Sequence, residues 1–224
     1  MTRPLTTSRR QREKADRHAA ILAAARAVFF EEGIRNATVE AIAARAQVAK
    51  GTVYIYFHSK ETILATLLLE GLDSLNTRLA KAYEESPPEP EARLWALAAA
   101  YFKYSREERD YFRLMMAFDR GQFRESIRRE LYETILHRSL DGFHWLVRAV
   151  EQGIQSGRFA AGDARQIAGA LWASLNGVLV LTGHPLRREM LAQEVTALYE
   201  NVWNIMLRGI RLPAAPADPA QSRS

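Results

Sequence analysis

Apolar residues along the chain recur at steps of three and four and almost nowhere alternate. No sustained run of β-branched residues appears, and Ala, Leu, Arg and Glu dominate, so the pattern predicts an all-α protein. The first predicted helix spans about Asp16 to Glu32, with Ile21, Leu22, Ala25, Val28 and Phe29 on one face and Gly33 as its C-terminal stop. Thr38 is placed to cap a second helix, Val39 to Ala46, with Glu40 in the first turn, where a negative charge meets the positive end of the helix dipole. After Gln47-Val48 a third short helix begins near Lys50 or Gly51 and ends near Phe57. Ser59 caps a fourth, carried through Leu64, Leu67, Leu68, Leu72 and Leu75 to about Glu85.

Ser86-Pro87-Pro88-Glu89-Pro90 then interrupts the helical pattern, because proline has no amide donor and restricts the residue before it. Further helices are expected at about Glu91 to Ser105, Glu108 to Asp119, Arg124 to Ser156, Ala164 to Thr182 and Arg187 to Arg211. The least polar stretch, Ile167 to Leu181, holds Ser174 and Asn176 and falls short of the roughly 20 apolar residues that span a bilayer, so it is read as a buried helix and no membrane association is expected. The Pro-rich tail, residues 213–224, is expected to be disordered.

Charge sharpens this picture because it is unevenly spread. Residues 1–60 hold eleven Lys/Arg against five Asp/Glu, while residues 61–224 hold twenty against twenty-one, so the whole basic excess lies in the first quarter. Basic groups near phosphates release condensed counterions, which makes a polyanion the expected partner of that quarter; a solvated basic arm is the plainer alternative. The arm contains Arg9, Arg10, Arg12, Lys14 and Arg17, either a mobile tail or a grip on the minor groove or backbone.

Three short helices followed by a long one form the layout of a helix-turn-helix module, in which the last short helix enters the major groove. Ala43 and Val48 can pack the second helix on the third, and Val53 and Phe57, four apart, share its inner face. Thr52 can bond a base or phosphate, and the hydroxyls of Tyr54 and Tyr56 can reach phosphate oxygens. Lys50 stands at the N-terminal end of this helix, and Thr38 and Lys60 at helix starts that also favour phosphate.

The segment from Ile21 to Leu64 resembles the DNA-binding domain of tetracycline-repressor (TetR) family regulators. The likeness is carried above all by Thr38-Val39-Glu40-Ala41-Ile42-Ala43 and by Val48-Ala49-Lys50-Gly51-Thr52-Val53-Tyr54-Ile55-Tyr56-Phe57-His58-Ser59-Lys60-Glu61. The resemblance implies an all-α homodimer in which an N-terminal three-helix DNA-binding domain, residues 1–62 with the arm, precedes a helical effector-binding and dimerisation domain, residues 63–212. It further implies a reading helix bearing Lys50, Gly51, Thr52, Tyr54 and Tyr56, Thr38 as a phosphate-binding cap, and Lys60 as a phosphate anchor. Repression that is relieved when a small molecule binds is the implied output, in the cytoplasm. Where the family commonly has glycine in the turn this chain has Gln47, and a left-handed conformation there costs a non-glycine residue roughly 1 kcal/mol.

Leu191, Val195, Leu198, Val202 and Ile205 alternate by four and three as an apolar seam on the last helix, and Gly169, Ala173 and Gly177 form a small-residue stripe on the one before it. They match the four-helix dimer interface that the family builds from its last two helices; packing within one subunit explains the periodicity as well. Trp95, Phe112, Met115, Met116, Phe143 and Trp172, with Asn176 inside its apolar helix, are candidates for lining a pocket for an apolar or aromatic effector of unknown identity, and each could equally be core. Asn176 must satisfy its amide with an effector, a buried water or the other subunit.

His137, Asp141 and His144, with Glu133 a turn earlier, share one helix face at a spacing able to chelate a cation, which a charged surface face explains as well, and no metal is assigned. With no cysteine in 224 residues, thiolate chemistry and disulfides are absent. No catalytic triad order, phosphate-cradling Gly-rich loop or carboxylate pair stands out, so neither an enzyme nor a cofactor is expected. A protein partner in place of a small effector, or activation in place of repression, are the competing outputs.

Overall fold

The computed structural model describes residues 5–119 and 124–212, and the tail expected to be disordered lies outside them. These residues form ten helices and one short 3-10 turn, with no strand among them. The helices are α1 (Leu5–Asn36), α2 (Val39–Arg45), α3 (Lys50–Tyr56), α4 (Lys60–Glu85), α5 (Pro90–Glu107), α6 (Arg109–Asp119), α7 (Arg129–Gln155), α8 (Ala164–Thr182), α9 (Pro185–Leu191) and α10 (Val195–Ile210).

Three expectations need correction. The first helix begins eleven residues before Asp16, since no Gly or Pro interrupts Leu5 to Glu32 and a pair such as Arg9 with Glu13, at 2.9 Å, supports an exposed polar turn. Gly33 does not stop it but breaks it, with φ 83 and ψ 157, and helical turns resume to Asn36. The long α7 starts at Arg129 rather than Arg124, preceded by the 3-10 turn Arg124–Ser126.

The third correction is that the predicted final helix is two helices: Ala192 adopts the left-handed conformation (φ 46), its amide bonds to the carbonyls of Arg188 and Glu189, and α10 restarts after an extended Glu194. Leu191 therefore ends α9, while the rest of its predicted seam lies on α10. Pro90, read from the sequence as part of the helix-breaking loop, opens α5 at the helix position that tolerates proline, and Asp163 caps α8 by accepting from the Gln166 amide at 3.0 Å.

The chain divides into two compact units, Met1–Leu75 with Arg106–Ser139, and Asn76–Ser105 with Leu140–Ser224, so the division falls inside α4 and α7. In the first unit, Ile21, Ala25, Val28 and Phe29 of α1 pack with Ile42, Val53 and Phe57 and with the Leu64, Leu67, Leu68 and Leu72 row of α4. The same core takes in Leu114 and Phe118 of α6 and Ile127 and Ile135 from the approach to α7 and its first turns. Arg26 of α1 and Tyr111 of α6 both bond one carboxylate oxygen of Glu70 on α4, at 2.6 and 2.9 Å. Partial burial beside that carboxylate pushes the Tyr111 hydroxyl pKa up to about 12, which keeps it a donor.

In the second unit, α10 packs on α8 and turns Tyr199, Trp203 and Leu207 inward, with the Tyr199 hydroxyl donating to the Ala98 carbonyl at 2.9 Å. One face of α8 is buried, through Ala168, Leu171, Leu175, Val178 and Leu179, while Trp172, Val180 and Leu181 stand exposed, so the stretch read as a buried helix is buried on one side only.

Candidate nucleic-acid interface

The short helices α2 and α3 are positioned from their ends and from one shared face. Thr38 has extended backbone and its hydroxyl oxygen accepts from the Ala41 amide at 3.1 Å, which makes it the N-cap of α2 as expected and leaves its residue exposed. The turn to α3 is closed by the Val48 amide bonding to the Ala43 carbonyl at 3.0 Å. Gln47 within it has φ 53, so the left-handed position is real and is occupied by a residue other than glycine. Val53 and Phe57 are sealed in the core, and this fixes which way the remaining α3 side chains face.

That outward surface is the site. Lys50 and Gly51 are exposed, Tyr54 is 42% exposed and Ile55 74%, whereas Thr52 and Tyr56 are half-buried. A Cβ built on Gly51 would meet nothing within 4 Å, so the helix backbone is open to close approach there. Tyr56 leans on α1, with its ring edge-on to His18 at 6.2 Å, and His18 also packs on Phe57 at 4.7 Å. Its hydroxyl is therefore carried on a braced ring, less free than that of Tyr54.

Cations at the site are held by neighbours that a phosphate would have to displace. The Lys50 ammonium bonds the Glu40 carboxylate and lies 5.9 Å from the centre of the Tyr54 ring. Glu40 raises the pKa of Lys50, and Lys50 lowers that of Glu40. Lys60 reaches back to α1, donating to the Arg35 carbonyl at 3.4 Å and lying 6.0 Å over the Phe29 ring. Ser59 caps α4 by accepting from the Thr62 amide at 3.2 Å. The exposed Ile55 was missed by sequence reasoning, although an apolar side chain beside the outward Tyr54 is itself a signal: such a residue can touch a thymine methyl group.

Residues 21–67 match the family model for bacterial regulatory proteins of the tetR family. Over 223 aligned residues, 92% of this chain and 96% of the other, the chain is 28% identical to the HTH-type transcriptional regulator RutR of Escherichia coli K12. The DNA-binding segment, residues 21–67, is of the tetR family. Among solved structures, the transcriptional regulator FadR from Bacillus subtilis in complex with stearoyl-CoA superposes with a TM-score of 0.64 at 24% identity, covering 86% of this chain and 99% of that one. The SmeT–triclosan complex does so with 0.63 at 22%, covering 91% and 98%; SmeT is the repressor of a Stenotrophomonas maltophilia multidrug efflux pump. Regulators of the tetR family bind operator DNA and small-molecule effectors and act as dimers, and the relatives found here are regulators, not enzymes.

Of the residues expected to line an effector pocket, Phe112, Met115 and Met116 are half-buried on α6 in the first unit. Trp95, Phe143, Trp172 and Asn176 belong to the second unit, where Trp95 stacks edge-on to Trp203 at 6.2 Å and Phe143 edge-on to Trp172 at 6.4 Å. None of the seven lines the cleft of about 310 Å³ between the end of α1, α4 and α6, or the groove along α10. The Asn176 amide is satisfied inside its own unit, accepting from the Tyr101 hydroxyl at 2.7 Å and donating to the Trp172 carbonyl at 3.0 Å, so none of the three partners expected for it is required.

On the predicted dimer face, Ile205 is 66% exposed and Leu191 38%, while Val195, Leu198 and Val202 are half-buried. Gly169 and Gly177 have open space where a Cβ would stand. Among the described residues no three His, Asp or Glu side chains gather as a metal site, and no single helix is long and apolar enough to cross a membrane.

Proposed function

We propose that this chain is a ligand-released repressor that reads operator DNA as a homodimer, with α3 as the reading helix. The observation that carries the proposal is the outward surface of α3: Lys50, Gly51, Tyr54 and Ile55 are turned to solvent beside the capped start of α2, while Val53 and Phe57 hold the helix in place. In this reading Lys50 leaves Glu40 for a base edge or phosphate, Thr52 and Tyr54 bond bases or the backbone, and Thr38, Tyr56 and Lys60 hold phosphates that fix the register. Gly51 lets the backbone approach, and the basic α1 arm adds counterion release to both specific and non-specific binding.

The effector is a small, largely apolar or aromatic molecule, a class supported by the stearoyl-CoA and triclosan complexes of two proteins that share the fold. Trp95, Phe143, Trp172 and Asn176 are candidates to line its site in the second unit; Phe112, Met115 and Met116 of α6 are separate candidates within the first unit. Because α4 continues from Lys60 in the first unit to Glu85 in the second, a tilt of this helix on ligand binding moves its DNA-side end. Paired half-sites lie about 34 Å apart per helical turn of B-DNA, so a shift of a few ångströms spoils simultaneous docking, and the effector need only bind the mismatched state better. The dimer forms through Gly169, Ala173 and Gly177 of α8 and Val195, Leu198, Val202 and Ile205 of α10, with Leu191 at the end of α9 beside them.

Fluorescence polarisation with a labelled duplex from the DNA flanking the gene tests the reading. Lys50→Ala and Tyr54→Ala are each expected to weaken binding roughly ten- to a hundredfold, the equivalent of about 1–3 kcal/mol for a specific contact. Full affinity in both variants would remove α3 from the interface.

A further inference from the structure

The body that carries the reading helix extends beyond the helix-turn-helix. Ile127 and Ile135 are 8% and 4% exposed in the same core as Val53 and Phe57, and Leu131 and Tyr132 pack against it. The approach to α7 is therefore fixed on the core of the first unit by its apolar side chains. Arg128 precedes α7, and its carbonyl accepts the Leu131 and Tyr132 amides at 3.1 Å. Its guanidinium reaches the imidazole of His58, two residues beyond Tyr56 and two before Lys60.

Among the described residues, two of the four arginines near the start of α7 are paired with carboxylates and two are not. Arg129 pairs with Glu133 at 2.7 Å, Arg138 with Asp73 at 3.1 Å, and Arg124 stacks 5.2 Å over the Tyr132 ring. Arg128 alone of the four rests on an imidazole; it is exposed, and neither Glu125 nor Glu130 pairs with it. A guanidinium held at the junction of α3 and α4 without a carboxylate is a ready partner for a phosphate oxygen, since Arg binds phosphate through two parallel donors. We propose that Arg128 is a DNA-backbone contact contributed from outside the helix-turn-helix, so that each protomer's footprint includes the start of α7. The proposal rests on the DNA-binding reading above.

The test is the salt dependence of binding for the full-length protein on the same labelled duplex and on a scrambled one, titrated across a series of KCl concentrations. Each phosphate contact contributes about 0.9 to the slope of log K against log salt, so Arg128→Gln is expected to reduce the slope by about that amount per bound protomer. Affinity should fall alike on both duplexes, because a phosphate contact carries no sequence information. Arg128→Lys keeps a cation and should retain most of the slope, which separates lost charge from lost packing against His58. An unchanged slope in Arg128→Gln, with Lys60→Gln lowering it, overturns the Arg128 contact and leaves the DNA-binding reading standing. An unchanged slope in both variants, with no selectivity between the duplexes, overturns the DNA-binding reading and the Arg128 contact with it.

Discussion

Exchanging Trp203 for alanine should lower the free energy of unfolding by about 3–5 kcal/mol, the range for emptying a large buried aromatic site. Trp203 is fully buried on the inner face of α10, edge-on to Trp95 of α5, and with Tyr199 and Leu207 it ties α10 to the rest of its unit. Its indole N–H meets no acceptor among the described residues. Trp203→Phe should therefore cost clearly less than Trp203→Ala, because it removes a buried donor without a partner while keeping most of the apolar volume. Denaturant titrations of the two variants check this order. Equal losses would mean that the indole is not enclosed as described.

The second large effect concerns the opposite face of the same helix. Ile205→Glu should leave a single protomer's folding almost untouched, since the side chain is 66% exposed there, yet split the homodimer. An unpaired charge buried at an interface costs about 3–5 kcal/mol, so the dimer dissociation constant should rise by roughly two to four orders of magnitude. Operator affinity should fall with it, because a monomer engages one half-site in place of two. Sedimentation velocity with an unfolding curve on the same sample separates the two effects. A variant that remains dimeric at the wild-type concentration range would place the interface elsewhere.

These two positions also show where sequence reading reached and where it stopped. The periodicity of α10 marks two apolar rows, one through Val195, Leu198, Val202 and Ile205 and another through Tyr199, Trp203 and Leu207, and nothing local says which row the fold turns inward. Burial is decided by α5 and α8, helices brought together over long sequence separations, as in the Tyr101–Asn176 bond. The break at Ala192 was illegible for a different reason: no Gly or Pro marks it, and alanine seldom takes the left-handed conformation it has here.

Local chemistry was readable at several helix starts and at one turn. Thr38 and Ser59 cap the helices they precede, and Gln47 holds the left-handed turn expected of it. The inner face of α3 was equally legible, because Val53 and Phe57 are four apart and the helix is too short to bury more than one side. The charge asymmetry was legible as well, but not the form of its carrier: the basic residues from Arg9 to Arg17 lie on a helical extension of α1, since exposed Arg, Lys, Gln and Glu without a breaker favour helix over a loose arm. The contact between His58 and Arg128, residues 70 apart, had no signature in the sequence.

The most direct test of the account is an equilibrium titration of the wild-type protein against a duplex from its flanking DNA and a scrambled duplex of equal length, repeated over several salt concentrations. If α3 lies in the major groove with its outward side chains on base edges, the flanking duplex binds at least about a thousandfold more tightly than the scrambled one, and both affinities fall steeply with salt. Equal affinity for every flanking and scrambled duplex at all salt concentrations would contradict it.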